Sequence, residues 1–557
     1  MTRASGILLP VSSLPGPYGI GCFSRHAYAF VDWLADAGQT FWQILPLGPT
    51  GFGDSPYQSF STFAGNPYFI DLEALTAGGL LTPAECEAAD FGRDPETVDY
   101  SRLYAERTPL LRTAFRRWRE TGGADSRDFA AFTARSAPWL EDHALFTALK
   151  AAHGGAPWDQ WPDPLRLRDP AALDQARRDL AEELQFQRFI QYQFDVQWGR
   201  LKRYANGKGV QIIGDLPIYV AFDSADTWSH PELFQLDADR RPTGVAGVPP
   251  DGFSATGQLW GNPLYHWPAH QADGYRWWID RMARCYDWYD VVRIDHFRGF
   301  DEYFCVPAGS PDATNGTWRP GPGKALFDAI RAALGDRPVI AEDLGYLTDS
   351  VRRLVADCGF PGMKVLEFAF DARDASSAEY LPHRYPVNCI VYTGTHDNET
   401  VAGWYESIRP EERRAVQRYL HRAPDAVEPL HWDLACTAMA SVARWCVIPL
   451  QDWLGLDNRA RINHPSTLGG QLALARQRRR PDPRAGPAAP HRDRDLRPLR
   501  RPHGPPFILK RRPGFSARQR SVSPWNSNCN CPPSPRRPSA ARRKPAPTPS
   551  STMPCRP

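Results

Sequence analysis

Four acidic side chains in this sequence each lie at the end of a short apolar segment. They are Asp215, Asp295, Glu342 and Asp397. Charged groups are rarely fully buried without a partner, so apolar segments that end in carboxylates indicate a site with a chemical task. Four such carboxylates brought together would suit either a metal site or the breaking and remaking of glycosidic bonds.

The stretch "VVRIDHFRGF", which begins at Val291, places an arginine and an aspartate at alternate positions. Side chains alternate between the two faces of a strand, so Arg293 and Asp295 share one face. The arginine then favours the ionised form of the aspartate. Taken alone, the pair could be a structural ion pair at the mouth of a barrel. The three other carboxylates favour a catalytic interpretation.

The distribution of histidine and aromatic residues separates the two kinds of chemistry. His296 and His396 are available as ligands, but neither an HExxH nor an HxH spacing occurs, which argues against a metal site. Glycoside chemistry needs an ionised nucleophile beside a protonated acid, and aromatic side chains can serve as platforms for sugar rings. Candidate platforms in loop-like sequence are Tyr57, Phe253, Trp260 and Tyr265.

Short apolar segments alternate with helical patterns along residues 1–470, which indicates parallel strands with helical crossovers. A (β/α)8 barrel is the expected α/β fold, with a doubly wound sheet as the alternative. In such barrels the active site lies at the carboxyl ends of the strands. The eight expected strands are 5–11, 41–48, 210–220, 291–297, 338–345, 363–370, 388–397 and 446–455.

Two intervals between the expected strands are too long to be loops. They lie at about 75–205 and about 222–290, and the first contains the helix-forming stretch "RDLAEELQFQRFIQYQFDVQWGRLKRYA". We expect inserted, mainly helical subdomains at one end of the barrel.

Composition favours a cytoplasmic location for the 557-residue chain. The apolar run near the N-terminus is short and is interrupted by Pro10, unlike a signal peptide. The sequence contains no run of about 18 apolar residues, so no membrane span is expected. The eleven cysteines show no regular spacing, which suits a reducing compartment.

Residues 471–557 differ sharply in composition from the rest of the chain. They contain 21 Lys and Arg against 3 Asp and Glu, and 19 of the 54 prolines. Such a segment cannot build a core, so we expect a disordered tail. Basic tails often bind nucleic acid, but this one lacks regularly interleaved aromatic residues, so nucleic acid is not an expected partner.

Several long motifs in the first 469 residues resemble one family, the 4-alpha-glucanotransferases or amylomaltases, which are glycoside hydrolase family 77 of the α-amylase clan. The matching stretches include "WQILPLGPTGFGDSPYQSFSTFAGNPYFI", "GDLPIYVAFDSADTW", "GQLWGNPLY", "VVRIDHFRGF", "IAEDLG", "GTHDNET" and "NRARIN". The resemblance implies a barrel that transfers α-1,4-glucans between 4-hydroxyl groups. It implies glucans and maltooligosaccharides as partners, and no cofactor, metal or membrane.

The resemblance also implies roles for individual residues. Asp295 matches the family nucleophile, Glu342 the general acid/base, and Asp397 the carboxylate that stabilises the transition state. Local pattern could not choose between Glu342 and Asp343, and the resemblance leaves Asp343 as a solvated or helix-capping group. The positions that match substrate-contacting residues or segments are Arg293, His396, Asp215, Tyr57, Ser55 and Trp260.

The sequence departs from the family in two places. Gly252 stands where the family often has tyrosine, which leaves Phe253 as the platform in the 247–260 loop. Near Gly470 the family continues with Gly-Asn-Trp-Arg-Trp-Arg and a final helix. A one-base change of reading frame converts codons for that segment into "GQLALA", so residues 471–557 are expected to be out of frame. The alternatives are a glucan hydrolase and an inactive or unstable product.

Overall fold

The computed structural model describes residues 3–50, 54–92, 94, 97–250, 254–345, 347–423 and 429–463. The strands in this part of the chain are β1 (Ala4–Leu8), β2 (Phe41–Gln43), β3 (Gln211–Pro217), β4 (Gly244–Val248), β5 (Gln258–Pro263), β6 (Val291–Asp295), β7 (Glu302–Pro307), β8 (Thr317–Pro320), β9 (Val339–Ala341), β10 (Gly362–Val365), β11 (Cys389–Tyr392) and β12 (Trp445–Pro449).

The α-helices in the same part of the chain lie between the strands and in the long intervals. They are α1 (Arg25–Asp36), α2 (Leu72–Ala77), α3 (Pro83–Ala88), α4 (Tyr100–Glu120), α5 (Arg127–Ala152), α6 (Asp163–Arg166), α7 (Pro170–Asp179), α8 (Ala181–Gly207), α9 (Ala225–Ser229), α10 (Trp267–Ala272), α11 (Arg276–Trp288), α12 (Lys324–Leu334), α13 (Asp349–Cys358), α14 (Val401–Ser407), α15 (Pro410–Tyr419), α16 (Leu430–Ala440) and α17 (Leu450–Trp453). None of these helices is long and apolar enough to cross a membrane.

Eight parallel strands close into a barrel in the order β1-β12-β11-β10-β9-β6-β3-β2. This confirms the (β/α)8 prediction and rules out the doubly wound sheet. All eight barrel strands fall within or beside the expected segments, but they are shorter. The segment expected at 388–397, for example, is a strand only at Cys389–Tyr392. The pattern included residues that follow the strands. Glu342 and Asp397 are among them, whereas Asp215 and Asp295 lie within β3 and β6.

The barrel interior is filled by side chains that point inward from successive strands. Its buried residues are Leu8, Phe41, Leu45, Ile213, Val291, Ile340, Met363, Ile390, Tyr392, Trp445, Val447 and Ile462. This packed layer supports the polar groups at the carboxyl ends of the strands.

A close approach fixes the register of β3 and β6. A Cβ atom added to Gly214 would lie 2.1 Å from Cγ of Tyr289, so only glycine fits there. In this register Asp215 lies opposite Arg293, and Pro217 lies opposite Asp295. The strand pair therefore delivers an arginine and two carboxylates to one end of the barrel.

Helices dominate the long interval between β2 and β3. Helices α4, α5 and α8 there contain 21, 26 and 27 residues. A second, antiparallel sheet has four strands in the order β5-β4-β7-β8. In the chain, β4 and β5 come between β3 and β6, and β7 and β8 come directly after β6. This sheet is not predictable from the sequence pattern, because its strands of four to six residues include several glycines and carry little apolar alternation.

Candidate active site

Arg293 links two carboxylates at the end of the barrel. Its Nη1 atom donates to Oδ1 and Oδ2 of Asp215 at 2.7 and 2.8 Å, and to Oδ1 of Asp295 at 2.9 Å. Arg293 and Asp215 are only 3% and 2% exposed. Hydrogen bonds between ionised groups removed from water are short and strong. Alternation along β6 and the β3–β6 register thus place one cation between two anions.

The surroundings of Asp295 act on its acidity in opposite directions. Desolvation raises its pKa to about 6, Arg293 opposes this rise, and the negative charges of Asp215 and Asp397 add to it. Because the arginine favours the charged form, Asp295 is ionised at neutral pH.

Glu342 comes directly after the neighbouring strand, at the level of Asp295. Strands β6 and β9 pair Ile294 with Ala341; Asp295 is the next and last residue of β6, and Glu342 is the first residue after β9. Oε2 of Glu342 accepts from the backbone N–H of His296 at 2.7 Å, and Oε1 accepts from that of Leu344 at 3.0 Å. His296 has a left-handed backbone, with φ of 53°, at the point where the chain leaves β6.

The acidity of Glu342 differs from that of Asp295. Desolvation, followed by the negative charge of Asp295, raises the pKa of Glu342 to about 8, against the weaker influences of Arg293 and the two backbone N–H groups. At neutral pH Glu342 therefore retains its proton while Asp295 does not. Two carboxyl groups with separated pKa values are the arrangement that acid and nucleophile roles require.

Tyr57 and His396 connect the first carboxylates to Asp397. The Tyr57 hydroxyl donates to Oδ2 of Asp215 at 2.8 Å and lies 2.7 Å from Nε2 of His396. The two rings stack with centroids 5.4 Å apart. Desolvation, then Asp215 and Asp295, raise the pKa of Tyr57 well above its usual value, so the phenol keeps its hydrogen. The hydroxyl hydrogen of Tyr57 points to Asp215, so it is not available to His396. Nε2 of His396 therefore carries the hydrogen between the two rings and donates toward Tyr57 and toward Oδ2 of Asp397, which is 3.2 Å away.

Asp397 is held by residues that follow the last barrel strand. Nδ2 of Asn463 donates to its Oδ1 at 2.5 Å, and Nη2 of Arg461 donates to its backbone oxygen at 2.6 Å. Sequence reasoning gave no role to Asn463 or Arg461, although the motif "NRARIN" that contains them was noted. Only the fold brings residues so distant in sequence into contact.

The remaining sequence-predicted site residues lie at different places. Ser55 builds the turn before Tyr57, because its Oγ accepts from the Tyr57 N–H at 3.3 Å. Trp260 on β5 packs its ring edge against His296, with ring centroids 4.7 Å apart. It therefore lies beside the residue that follows Asp295. Phe253, and Gly252 before it, lie outside the described residues.

Asp343 is not a solvated or helix-capping group, so that prediction is wrong. Its Oδ1 accepts from the N–H of Met363 at 2.6 Å, at the start of β10. Its carboxyl group fits against Gly362, where an added Cβ would lie 2.4 Å from Oδ2. Consecutive residues after a strand point in opposite directions, so Glu342 faces the Asp295 side and Asp343 ties down the neighbouring strand.

Among the described residues, the structure has no group of three or more His, Cys, Asp or Glu placed to hold a metal ion. The acidic residues are held by Arg293, backbone N–H groups, Tyr57 and Asn463 instead. A closed parallel barrel with such carboxyl groups at the carboxyl ends of its strands defines the class of carbohydrate-active barrel enzymes.

Comparisons with known proteins identify the family. A family model described as 4-alpha-glucanotransferase matches residues 9–476. The chain is 50% identical over 479 residues to a 4-alpha-glucanotransferase of Thermus thermophilus, which covers 85% of this chain and 94% of that protein. It is 49% identical over 470 residues to a 4-alpha-glucanotransferase of Streptococcus pneumoniae, covering 84% and 92%.

A solved structure agrees with these matches. The amylomaltase from Streptococcus agalactiae in complex with acarbose superposes with a TM-score of 0.83 at 43% identity, covering 86% of this chain and 95% of that one. The chain belongs to the 4-alpha-glucanotransferase family, and 4-alpha-glucan transfer is its activity. This confirms the resemblance found in the sequence motifs and the reaction that it implied.

Proposed function

We propose that the chain moves α-1,4-glucan segments to the 4-hydroxyl of glucose or of another glucan by a retaining double displacement. Asp295 is the nucleophile, Glu342 the general acid and base, and Asp397 the carboxylate that stabilises the transition state. The observation that carries the proposal is the arrangement of the two carboxyl groups. Arg293 donates to Asp295 at 2.9 Å. Glu342, directly after the neighbouring strand, accepts instead from two backbone N–H groups, and burial with the charge of Asp295 raises the pKa of Glu342.

In the first displacement, an oxygen of Asp295 attacks the anomeric carbon of the donor glucan. The bond from that carbon to the leaving oxygen breaks, and Glu342 gives its proton to that oxygen. The products are a covalent glucosyl-enzyme ester and a glucan with a free 4-hydroxyl group. Retaining enzymes require the two carboxyl groups about 5–5.5 Å apart, and the adjacent positions at the ends of β6 and β9 support such a distance.

In the second displacement, Glu342 acts as the base. Ester formation removes the negative charge of Asp295, which is one of the influences that raise the pKa of Glu342. The pKa of Glu342 therefore falls at this stage, which suits a carboxylate that must take a proton. The 4-hydroxyl of the acceptor gives its proton to Glu342 and attacks the anomeric carbon, the ester bond breaks, and the product has the α configuration.

The groups around the acidic pair bind the sugar. Asp397 and His396 lie where they can contact hydroxyl groups of the ring at the reacting carbon, and hydrogen bonds of this kind strengthen in the transition state. Tyr57, Asp215 and Arg293 hold this arrangement together, and Tyr57 adds an aromatic face. Trp260, whose ring contacts His296, is a platform for a sugar ring, Ser55 fixes the turn that carries Tyr57, and Phe253 remains a predicted platform.

The partners proposed for this site are α-1,4-glucans and maltooligosaccharides. The amylomaltase from Streptococcus agalactiae was solved in complex with acarbose, which supports an oligosaccharide ligand here. Neither a nucleic acid nor a membrane is proposed as a partner. Buried cysteines that keep their thiols suit a reducing compartment and support the proposed cytoplasmic location; they are Cys22, Cys86, Cys285, Cys305, Cys358, Cys389 and Cys446.

The proposed domain division places the glucanotransferase in residues 1–470, with insertions at about 75–205 and 222–290. Residues 471–557 are proposed to be out of frame and to take no part in the reaction. The family model matches residues 9–476 and so ends six residues beyond the proposed boundary, which supports assigning most of the tail to no part of the enzyme.

A product assay on maltotriose with the purified full chain tests the reaction. Transfer gives glucose together with longer glucans, whereas a hydrolase gives glucose and maltose with a matching rise in reducing ends. Chromatography of the products separates these outcomes. The absence of any turnover by a folded chain would overturn the proposal and favour the inactive alternative.

A further inference from the structure

The segment from Thr393 to Thr400 carries His396 and Asp397 between β11 and α14. It has no regular secondary structure, so its shape depends on side-chain contacts. Oδ2 of Asp452 accepts from Oγ1 of Thr393 at 2.6 Å, and Oδ1 accepts from the N–H of Val401 at 2.9 Å. One carboxylate thus holds both ends of the segment.

Asp452 is itself placed rigidly. It lies in α17, directly after β12, and is 2% exposed. Strand β12 pairs with β11, which leads into the segment, through Ile390 with Trp445 and Val391 with Cys446. The position of Asp452 relative to Thr393 is therefore set by the barrel itself.

Two asparagines support the same segment. Oδ1 of Asn458 accepts from the N–H of Thr400 at 3.1 Å, and its Nδ2 donates to Oε1 of Glu399 at 2.6 Å. Oδ1 of Asn398 accepts from both the N–H and Oγ1 of Thr395 at 2.8 Å. The turn that carries Asp397 is thus fixed internally as well as at its ends.

Glu367 closes the remaining side of the segment. Its N–H donates to the backbone oxygen of Thr393 at 3.2 Å, and an added Cβ at Gly394 would lie 3.0 Å from its Oε1. Glu367 therefore packs directly against the start of the segment.

We infer that Asp452 is a positioning residue for glucan transfer, which fixes the Thr393–Val401 connection and thereby the orientation of His396 and Asp397. This inference rests on the proposed role of Asp397. A displacement of about 1 Å in a catalytic group can reduce the rate about a hundredfold. Asp452 touches neither of these residues directly, so it acts through the segment.

The test compares Asp452→Leu, which removes both acceptors, with Asp452→Asn. The asparagine can accept from Val401 N–H and donate to Oγ1 of Thr393, so it should rescue activity. We expect kcat on maltotriose to fall about 10- to 100-fold in Asp452→Leu and to stay within about threefold of wild type in Asp452→Asn. Acarbose binding, measured by calorimetry, should weaken in parallel with kcat.

The control is Asp290, at the opposite end of the barrel. Its Oδ2 also accepts from a backbone N–H, that of Ile212, and from the Asn206 side chain, each at 2.8 Å. Asp290→Leu should lower Tm and leave kcat unchanged at 25 °C. If Asp452→Leu does not fold, Thr393→Val removes one of the two bonds and should lower kcat by a smaller factor, about fivefold.

Two results would overturn the inference. In one, folded Asp452→Leu or Thr393→Val has a lower Tm but keeps the wild-type kcat and acarbose affinity. In the other, Asp452→Asn is as inactive as Asp452→Leu. Asp397→Asn, measured in the same series, separates this failure from that of the proposed function. If Asp397→Asn keeps full activity, the role of Asp397 is wrong, whereas an inactive Asp397→Asn beside a normal Asp452→Leu refutes the positioning role alone.

Discussion

The activity of the chain is expected to follow a bell-shaped curve between pH 4.5 and 9.5, because the proposed first displacement needs Asp295 ionised and Glu342 protonated. Activity rises as Asp295 loses its proton near its pKa of about 6 and falls as Glu342 loses its proton near about 8. At pH 7 each group is about one unit from its pKa, so roughly four-fifths of the enzyme is correctly protonated. At pH 5 and at pH 9 the fraction falls to about one tenth.

A substitution at Asp215 tests whether the acid limb of this curve belongs to Asp295 and the alkaline limb to Glu342. Asp215 raises the pKa of Asp295 and also shares the Nη1 atom of Arg293 with it. In Asp215→Asn the negative charge disappears, and the arginine is left to Asp295. Both changes favour ionised Asp295, so the acid limb should move to lower pH while the alkaline limb, set by Glu342, moves less.

The assay is the initial rate of glucose release from maltotriose at low substrate concentration, so that kcat/KM reports the free enzyme. Asp226→Asn is the matched control, since Asp226 is a buried aspartate that accepts from the backbone N–H of Thr62 instead. Its curve should keep both limbs. A flat curve for the wild type, or an alkaline limb that moves further than the acid limb in Asp215→Asn, would refute the assignment of Asp295 and Glu342.

Four further changes have defined outcomes. Asp295→Asn should lower transfer at least about a thousandfold while circular dichroism stays unchanged, and near-normal glucose release would disprove the nucleophile. Glu342→Gln should lower the rate on maltotriose about 10²- to 10⁴-fold, but should spare ester formation from α-maltosyl fluoride, whose leaving group needs no proton. Asn463→Ala should lower kcat about tenfold, because Oδ1 of Asp397 loses its donor, and an unchanged kcat would exclude that support. Restoring one base near codon 470 should recover Gly-Asn-Trp-Arg-Trp-Arg in an open frame and raise Tm, because the recovered closing helix would bury apolar surface against the barrel. DNA sequencing and calorimetry check this last outcome, and a closed frame would contradict it.

The sequence was sufficient for the features that depend on local periodicity. Apolar segments predicted all eight barrel strands, and the alternate spacing of Arg293 and Asp295 predicted their pairing, which the structure contains. The contact of Tyr57 with Asp215 could not be predicted in the same way. It joins a loop after β2 to a strand more than 150 positions later, and only the closed barrel brings the two together.

A sequence pattern cannot tell which of two neighbouring acidic residues belongs to the site. Glu342 and Asp343 are both acidic, and both follow the same strand. What distinguishes them is the partner that the fold supplies: Glu342 meets the N–H of His296 near Asp295, and Asp343 meets the N–H of Met363. Family motifs could rank the two, but a single sequence holds no local signal for the left-handed backbone at His296 that completes the Glu342 site.

The position of Arg293 explains why an apolar strand carries an arginine two residues before its aspartate. Its guanidinium group donates directly to Asp295 and Asp215, whereas both oxygens of Glu342 accept from neutral backbone N–H groups. A charged donor favours an ionised carboxylate more strongly than a neutral donor does. Arg293 also lowers the pKa of Glu342, but through its charge at a distance and without a hydrogen bond, so its effect on Asp295 is the stronger of the two. The one cation on this strand thus makes two buried carboxyl groups unequal, and that inequality is what a nucleophile and an acid on adjacent strands require.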